Sequence, residues 1–215
     1  MVKEMIQSFL LKIKEFALNQ GTRHNASRVR RNNFALSYLH DLVFLIAGVL
    51  LVFSLLFRVI VVSGPSMKST LVDGDWLLLL DNTFYHEYDR GDIVVVSKKS
   101  YDDGTPIIKR VVATEGQTVD INFDAGIVYV DGQPLEEVYT NTPTNLEEGM
   151  EFPLTVDDGC IFVLGDNRNE SKDSRSPEIG LINRSEVLGK AILLLFPGNE
   201  KGELKREFSR IGGIS

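Results

Sequence analysis

The sequence predicts a mostly β protein, a folded antiparallel sheet or barrel, preceded by a single transmembrane helix. Three observations lead there. Seven short apolar or alternating runs occupy residues 75–197, separated by clusters of Gly, Pro, Asn and Asp. No long amphipathic helix lies between those runs, which disfavours a parallel α/β arrangement. Ahead of them stands an apolar stretch long enough to cross a bilayer.

Residues 2–17 place Val2, Ile6, Phe9, Leu10, Ile13, Phe16 and Ala17 at helical spacing, with lysines between them. That pattern suits a short helix lying on a membrane surface or docked on a partner. Residues 1–41 carry a net charge of +4, with Arg23, Arg28, Arg30 and Arg31 close to the apolar run. Basic residues beside a span keep that side cytoplasmic. The anchor expected over Leu42–Val62 is 21 residues long, roughly 31 Å as a helix. Arg58 interrupts it near one end, where a long side chain can reach the headgroups. Everything after the anchor, residues 63–215, forms one extracytoplasmic domain, so the chain is read as single-pass in the plasma membrane.

The strands expected in that domain are 75–81, 92–98, 106–114, 118–123, 126–132, 160–166 and 189–197. "VDGQ" at 130–133 marks a hairpin turn. "TNTPTNLEEGM" at 140–150 reads as the clearest loop. Residues 42–215 carry a net charge of −11, which argues against nucleic acid as a partner. The lone cysteine, Cys160, excludes an internal disulfide and a multi-cysteine metal site. No metal and no cofactor is implied.

Three local features carry chemistry. "SGPSMKSTL" at 63–71 presents Ser66 on a Gly-Pro turn directly after the anchor, although serine is also an ordinary turn residue. In "TPIIKRVVAT", Lys109 lies inside a strand whose same-face neighbours are Ile107, Val111 and Ala113. An edge lysine would keep its ammonium in water, whereas a buried one would have a depressed pKa and serve as a base. A serine hydroxyl needs such a base. His86 is the sole histidine after the anchor, and nothing nearby orients it for a Ser-His-Asp triad. "GDNRNESKDSRS" at 165–176 has no aliphatic side chain and is either a solvated loop or a hydrogen-bonded platform. Arg168, Lys172 and Arg175 oppose a cation there.

These stretches, with "RGDIVVVS" at 90–97 and "IIKRVVATEG" at 108–116, resemble in order the boxes of bacterial type I signal peptidases, in the compact form common in Gram-positive bacteria. The resemblance covers roughly residues 42–197. It implies a membrane-bound serine–lysine endopeptidase that removes signal peptides from secretory preproteins, with Ser66 as nucleophile and Lys109 as general base. By the same resemblance Ser171 hydrogen-bonds and orients the lysine, Asp173 sits near the site paired with Arg175, and Asp166 pairs with Arg110. Met67 follows the nucleophile as in relatives. Gly64 stands where many relatives have a serine that supplies an oxyanion hydroxyl, leaving backbone N–H groups, above all that of Ser66, for the task. Ser69 stands where proline is common, which leaves the turn looser. The strand before Ser66, including Ile60 and Val62, is expected to pair with extended substrate, and Ile108 to line the same region. A soluble self-cleaving repressor domain and a cysteine transpeptidase fit less well. An anchored, non-catalytic β scaffold is the remaining alternative.

Overall fold

The computed structural model describes residues 7–8, 11–12, 14–15, 30–83, 85, 87–140, 142–199 and 206–214. Of the helix expected over residues 2–17, the six described positions are helical. Its other residues, Arg23, Arg28 and His86 lie outside the described residues. The chain divides into two compact units, Met1–Leu50 and Leu51–Ser215.

Helix α1 runs Arg30–Leu56. Its segment Leu36–Leu56 has a mean hydropathy of 2.4 and is long and apolar enough to cross a membrane. The expected anchor boundary at Val62 is corrected, because the helix stops at Leu56 and Phe57–Val61 is a strand. "FRVIV" is aromatic and β-branched, suited to a pleated surface. Arg58 is likewise corrected: its guanidinium pairs with the buried carboxylate of Asp81 on the neighbouring strand. A fixed counter-ion holds it there.

The first half of the second unit gives β1 (Phe57–Val61), β2 (Trp76–Asp81), β3 (Ile93–Val96), β4 (Ile107–Thr114), β5 (Thr118–Asn122) and β6 (Ile127–Val130). There follow β7 (Gln133–Pro134), β8 (Leu154–Thr155), β9 (Cys160–Leu164), β10 (Ile182–Asn183), β11 (Val187–Phe196) and β12 (Gly212–Gly213). The large sheet has the order β1-β2-β11-β3-β4-β9-β10, with β12 paired to β11. A smaller sheet has the order β7-β6-β5-β8. Every pairing is antiparallel. The register of β11 shifts between Ala191 and Leu193 and between Leu194 and Phe196, and such bulges add the twist that curls a sheet.

Alternation along β3 explains how the core is divided. Ile93 and Val95 join a cluster with Met67, Leu71, Leu77 and Leu79, while Val94 and Val96 join one with Val111, Val163 and Ile179. A third cluster, with Val119, Val128 and Phe162, includes residues of both sheets. The 130–133 hairpin turn forms as read, with Asp131 and Gly132 at φ +52° and +74°, the signature of a type I′ turn. One detail of β4 differs. The register against β9 passes from Val111↔Val163 to Ala113↔Phe162, so Val112 is an extra residue. That bulge flips the alternation and sends Ala113 to the third cluster, away from the face of Val111.

Candidate active site

Ser66 sits on a turn that β1 feeds directly. Gly64 adopts φ +92°, which glycine takes freely, and its N–H donates to Asp73 Oδ1 at 3.0 Å. Met67 is fully buried in the first core cluster and pins the turn from below. The N–H of Lys68 donates to Pro65 O at 2.9 Å, and that of Leu71 to Met67 O at 2.8 Å. From the other side Asn167 clamps the turn, its backbone N–H on Ser66 O at 3.0 Å and its Nδ2 on Pro65 O at 3.1 Å.

Lys109 lies in the interior of β4, with β3 on one side and β9 on the other. Only 3% of its surface is exposed. Its Nζ lies 2.9 Å from Ser66 Oγ, to which the ammonium donates, and donates also to Ile108 O at 3.0 Å. Burial pushes its pKa down to about 8, partly opposed by Asp173, Glu148 and Asp166.

The polar stretch 165–176 is a buried platform, in which Asp166, Arg168, Asp173, Ser174 and Arg175 are all fully buried. Arg110 grips Asp166 through two bonds, Nε to Oδ1 at 2.9 Å and Nη2 to Oδ2 at 2.8 Å. Arg175 grips Asp173 the same way, at 2.8 and 3.0 Å. Such forks satisfy both partners where water is excluded. Gly165 is required by contact: a Cβ there would meet Ser171 Oγ at 2.1 Å and Ser66 O at 2.6 Å.

Several residues sit differently from the sequence reading. Ser171 Oγ donates to Asp173 Oδ2 at 2.9 Å, so its hydroxyl orients the carboxylate rather than bonding the lysine. Gly64 has its N–H engaged by Asp73, whereas the N–H groups of Ser66, Met67 and Ser69 have no acceptor among the described residues. Val62 is buried, its N–H donates to Asp75 O at 2.8 Å and its C=O accepts from Gly74 at 2.9 Å. Ladder bonds alternate, so the backbone of Ile60 faces β2 as well. The side chains of Ile60 and Ile108 are half-buried against the Met67 cluster. Ser69 is not merely looser. It takes φ +91°, which a proline ring cannot adopt. Cys160 packs half-buried against the third cluster, and burial pushes its thiol pKa up, away from nucleophilic use.

Other contributors were missed in the sequence. Glu148 accepts from the Asp173 N–H at 3.3 Å, and burial together with the Asp173 charge raises its pKa. It lay hidden in a loop with no pattern. Arg210 holds fully buried Asp75 at 2.6 and 3.0 Å and reaches Thr70 O at 3.1 Å. No local signal links positions so far apart in sequence.

A half-buried hydroxyl beside a shielded amine of pKa about 8 can lose its proton as it attacks a carbonyl. Comparison with known proteins gives the family. Residues 35–196 match the family described as signal peptidase, peptidase S26. A probable signal peptidase I-1 of Synechocystis sp. is 38% identical over 169 residues, covering 73% of this chain and 82% of that protein. A signal peptidase I of Bacillus licheniformis is 31% identical over 178 residues, covering 79% and 93%. A solved signal peptidase I from Enterococcus faecalis is 30% identical and covers 48% of this chain and 96% of that one, with a TM-score of 0.39. The matched stretch begins in α1 and contains both Ser66 and Lys109, and on that extent the chain belongs to the signal peptidase, peptidase S26, family.

Proposed function

We propose that the chain removes amino-terminal signal peptides from exported preproteins, acting as a membrane-bound serine endopeptidase. The observation that carries this reading is the 2.9 Å approach of Lys109 Nζ to Ser66 Oγ, with the amine excluded from water. Neutral Lys109 takes the Ser66 proton as Oγ attacks the scissile carbonyl. The Ser66 N–H stabilises the oxyanion. The tetrahedral adduct collapses to an acyl ester, and the leaving amine takes the proton back from the Lys109 ammonium. Lys109 then accepts a proton from water as the water oxygen attacks the ester, and it returns that proton to Ser66 Oγ as the carboxylic acid product leaves.

β1 is an edge strand of the large sheet. Because Ile60 and Val62 bond inward, the groups free to pair with an extended substrate belong to Val61 and Ser63. Ile60 and Ile108 offer a shallow apolar wall suited to small side chains. α1 crosses the lipid bilayer with the basic segment cytoplasmic and the peptidase domain outside. Ser66 follows the helix end by ten residues, at most about 35 Å of chain, so the nucleophile stays near the membrane–water boundary. Exposed Val61, Trp76 and Phe196 are register neighbours, and Phe208 meets Phe196 edge to face with ring centroids 5.7 Å apart. That apolar cluster supports contact with lipid.

The test is direct. The full chain in detergent micelles, mixed with a purified preprotein, gives a mature product; Ser66→Ala abolishes it. Mature product from the Ser66→Ala chain refutes the assignment.

A further inference from the structure

We propose that the surface segment Glu137–Tyr139 is a strap that positions the nucleophile turn, with Ser69 as the positioning residue at its point of attachment. The proposal rests on Ser66 being the nucleophile and deepens that reading.

The two halves of the turn are held differently. The half around Pro65 and Ser66 is bonded to Asn167. The half after Met67 contains Ser69, a non-glycine residue at φ +91°. L side chains rarely adopt that conformation, and such a residue persists only where its surroundings hold it. The N–H groups of Thr70 and Leu71 close the turn on Met67 O, and the tether of Ser69 to a distant segment is its hydroxyl, which donates to Tyr139 O at 2.7 Å across 70 positions of sequence.

Tyr139 lies in no strand, and the preceding Val138 is 97% exposed. This segment therefore has no core of its own and is fixed by the side chains that flank Val138. Glu137 accepts from fully buried Arg168 at 2.7 and 2.6 Å. The Tyr139 ring stacks on the Arg110 guanidinium, 4.1 Å from the ring centroid, and its hydroxyl donates to Glu137 Oε1 at 3.0 Å. Both arginines belong to the active-site platform. Arg110 follows Lys109 in β4 and grips Asp166, while Arg168 Nε donates to Gly165 O at 3.0 Å. The strap thus ties the strand that carries the amine and the loop that faces it to the turn that carries the hydroxyl. Thr70 stays anchored to Asp166 and to Arg210, but without the Ser69 bond the residues between it and Ser66 lose their tether to the strap, and Ser66 Oγ is no longer held in line with Nζ. A shift of order 1 Å in a reacting atom costs roughly 10²-fold in rate.

The experiment compares the parental full chain with Ser69→Ala and Ser69→Gly in detergent micelles on one preprotein. Ala keeps the strained φ and loses the bond; Gly loses the bond and removes the strain, so at least one variant folds. Thermal unfolding gives the folded fraction, and kcat, KM and the pH–rate profile are measured per folded molecule. Expected is a fall in kcat of about tenfold or more in both variants. KM should stay within about twofold and the acid limb of the profile unmoved, because neither the substrate edge nor the surroundings of Lys109 change. A lower unfolding temperature with kcat unchanged makes Ser69 merely structural and overturns the strap. So does turnover that Ser66→Ala abolishes but Ser69→Gly leaves at the parental rate. No turnover in the parental chain removes the reading of Ser66 itself, and the strap with it.

Discussion

Replacing Lys109 by Met separates what the amine does for chemistry from what it does to stability. The two effects have opposite sign. Burial lowers the Lys109 pKa from 10.5 to about 8. In the unfolded chain the group stays protonated up to about 10.4. Below pH 8 both states hold the proton, and the folded state bears the full penalty of a shielded ammonium. At about 1.36 kcal/mol per pH unit between the two pKa values, that penalty is about 3 kcal/mol at pH 7 and under about 1 kcal/mol at pH 10. Stability of the parental chain therefore gains with rising pH through this window, relative to a variant in which the charge is absent. Methionine keeps the unbranched shape and removes the charge. Its hydrogen-bond losses at Ser66 and Ile108 add an offset common to every pH, so the pH-dependent difference isolates the amine. Denaturant unfolding can be followed through the single tryptophan, Trp76 on β2. The stability of Lys109→Met minus that of the parent should fall by about 2–3 kcal/mol between pH 7 and 10, while processing activity is lost at every pH. A flat difference across that range would refute a shielded amine at position 109.

The same pKa sets the rate profile: turnover should climb about tenfold per pH unit and level off above about 8, and a limb centred near 10 would contradict it. Gly165→Ala forces a Cβ against Ser171 Oγ and Ser66 O; kcat should drop roughly 100-fold with tryptophan fluorescence unchanged, and kcat within threefold of parent would show that the turn yields freely. Arg110→Met leaves the Asp166 carboxylate buried without its fork, costing about 3–5 kcal/mol of unfolding free energy. Adding Asp166→Leu should recover a large part of that loss, and a double variant no better than the single one contradicts the pairing.

Short apolar runs bounded by turn residues made the principal strands legible: β2, β3, β4 and β9 are buried on both faces, and β11 alternates buried with half-buried positions. The two-residue strands β7, β8, β10 and β12 were not, because a pair of ladder positions leaves no periodicity to read. β1 was absorbed into the anchor for a related reason: an apolar run has no period, and the helix ends where Asp81 offers Arg58 a partner from a distant segment. Ser66 and Lys109 stood out by residue type, as a serine in a tight turn and a lysine in an apolar strand. Glu148, Glu137, Tyr139 and Arg210 did not, because what places them at the site is tertiary pairing with buried charges. The bulge at Val112 was invisible for the same reason; both neighbours are apolar, and the flip of face shows only in the pairing with β9.

The guanidinium forks of the polar box bear on how a lysine among acids keeps a lowered pKa. Asp173, Glu148 and Asp166 all push the Lys109 pKa up, yet burial prevails. A single carboxylate about 4 Å from an ammonium is worth about 4 kcal/mol in a moderately screened interior. That is enough to cancel the effect of burial and leave an inert ammonium at neutral pH. The two fully buried carboxylates fall short of this because each is held in its own guanidinium fork, Asp166 by Arg110 and Asp173 by Arg175. Arg175 also lowers the Lys109 pKa directly. Glu148 has no such fork, and its raised pKa brings it closer to neutrality by another route. Lysine in place of either arginine would supply the charge but not two parallel donors, leaving one carboxylate oxygen exposed to the amine. The two arginines therefore do more than fill space: by offsetting part of the charge of the acids that shape the site, they help leave desolvation as the dominant influence on Lys109.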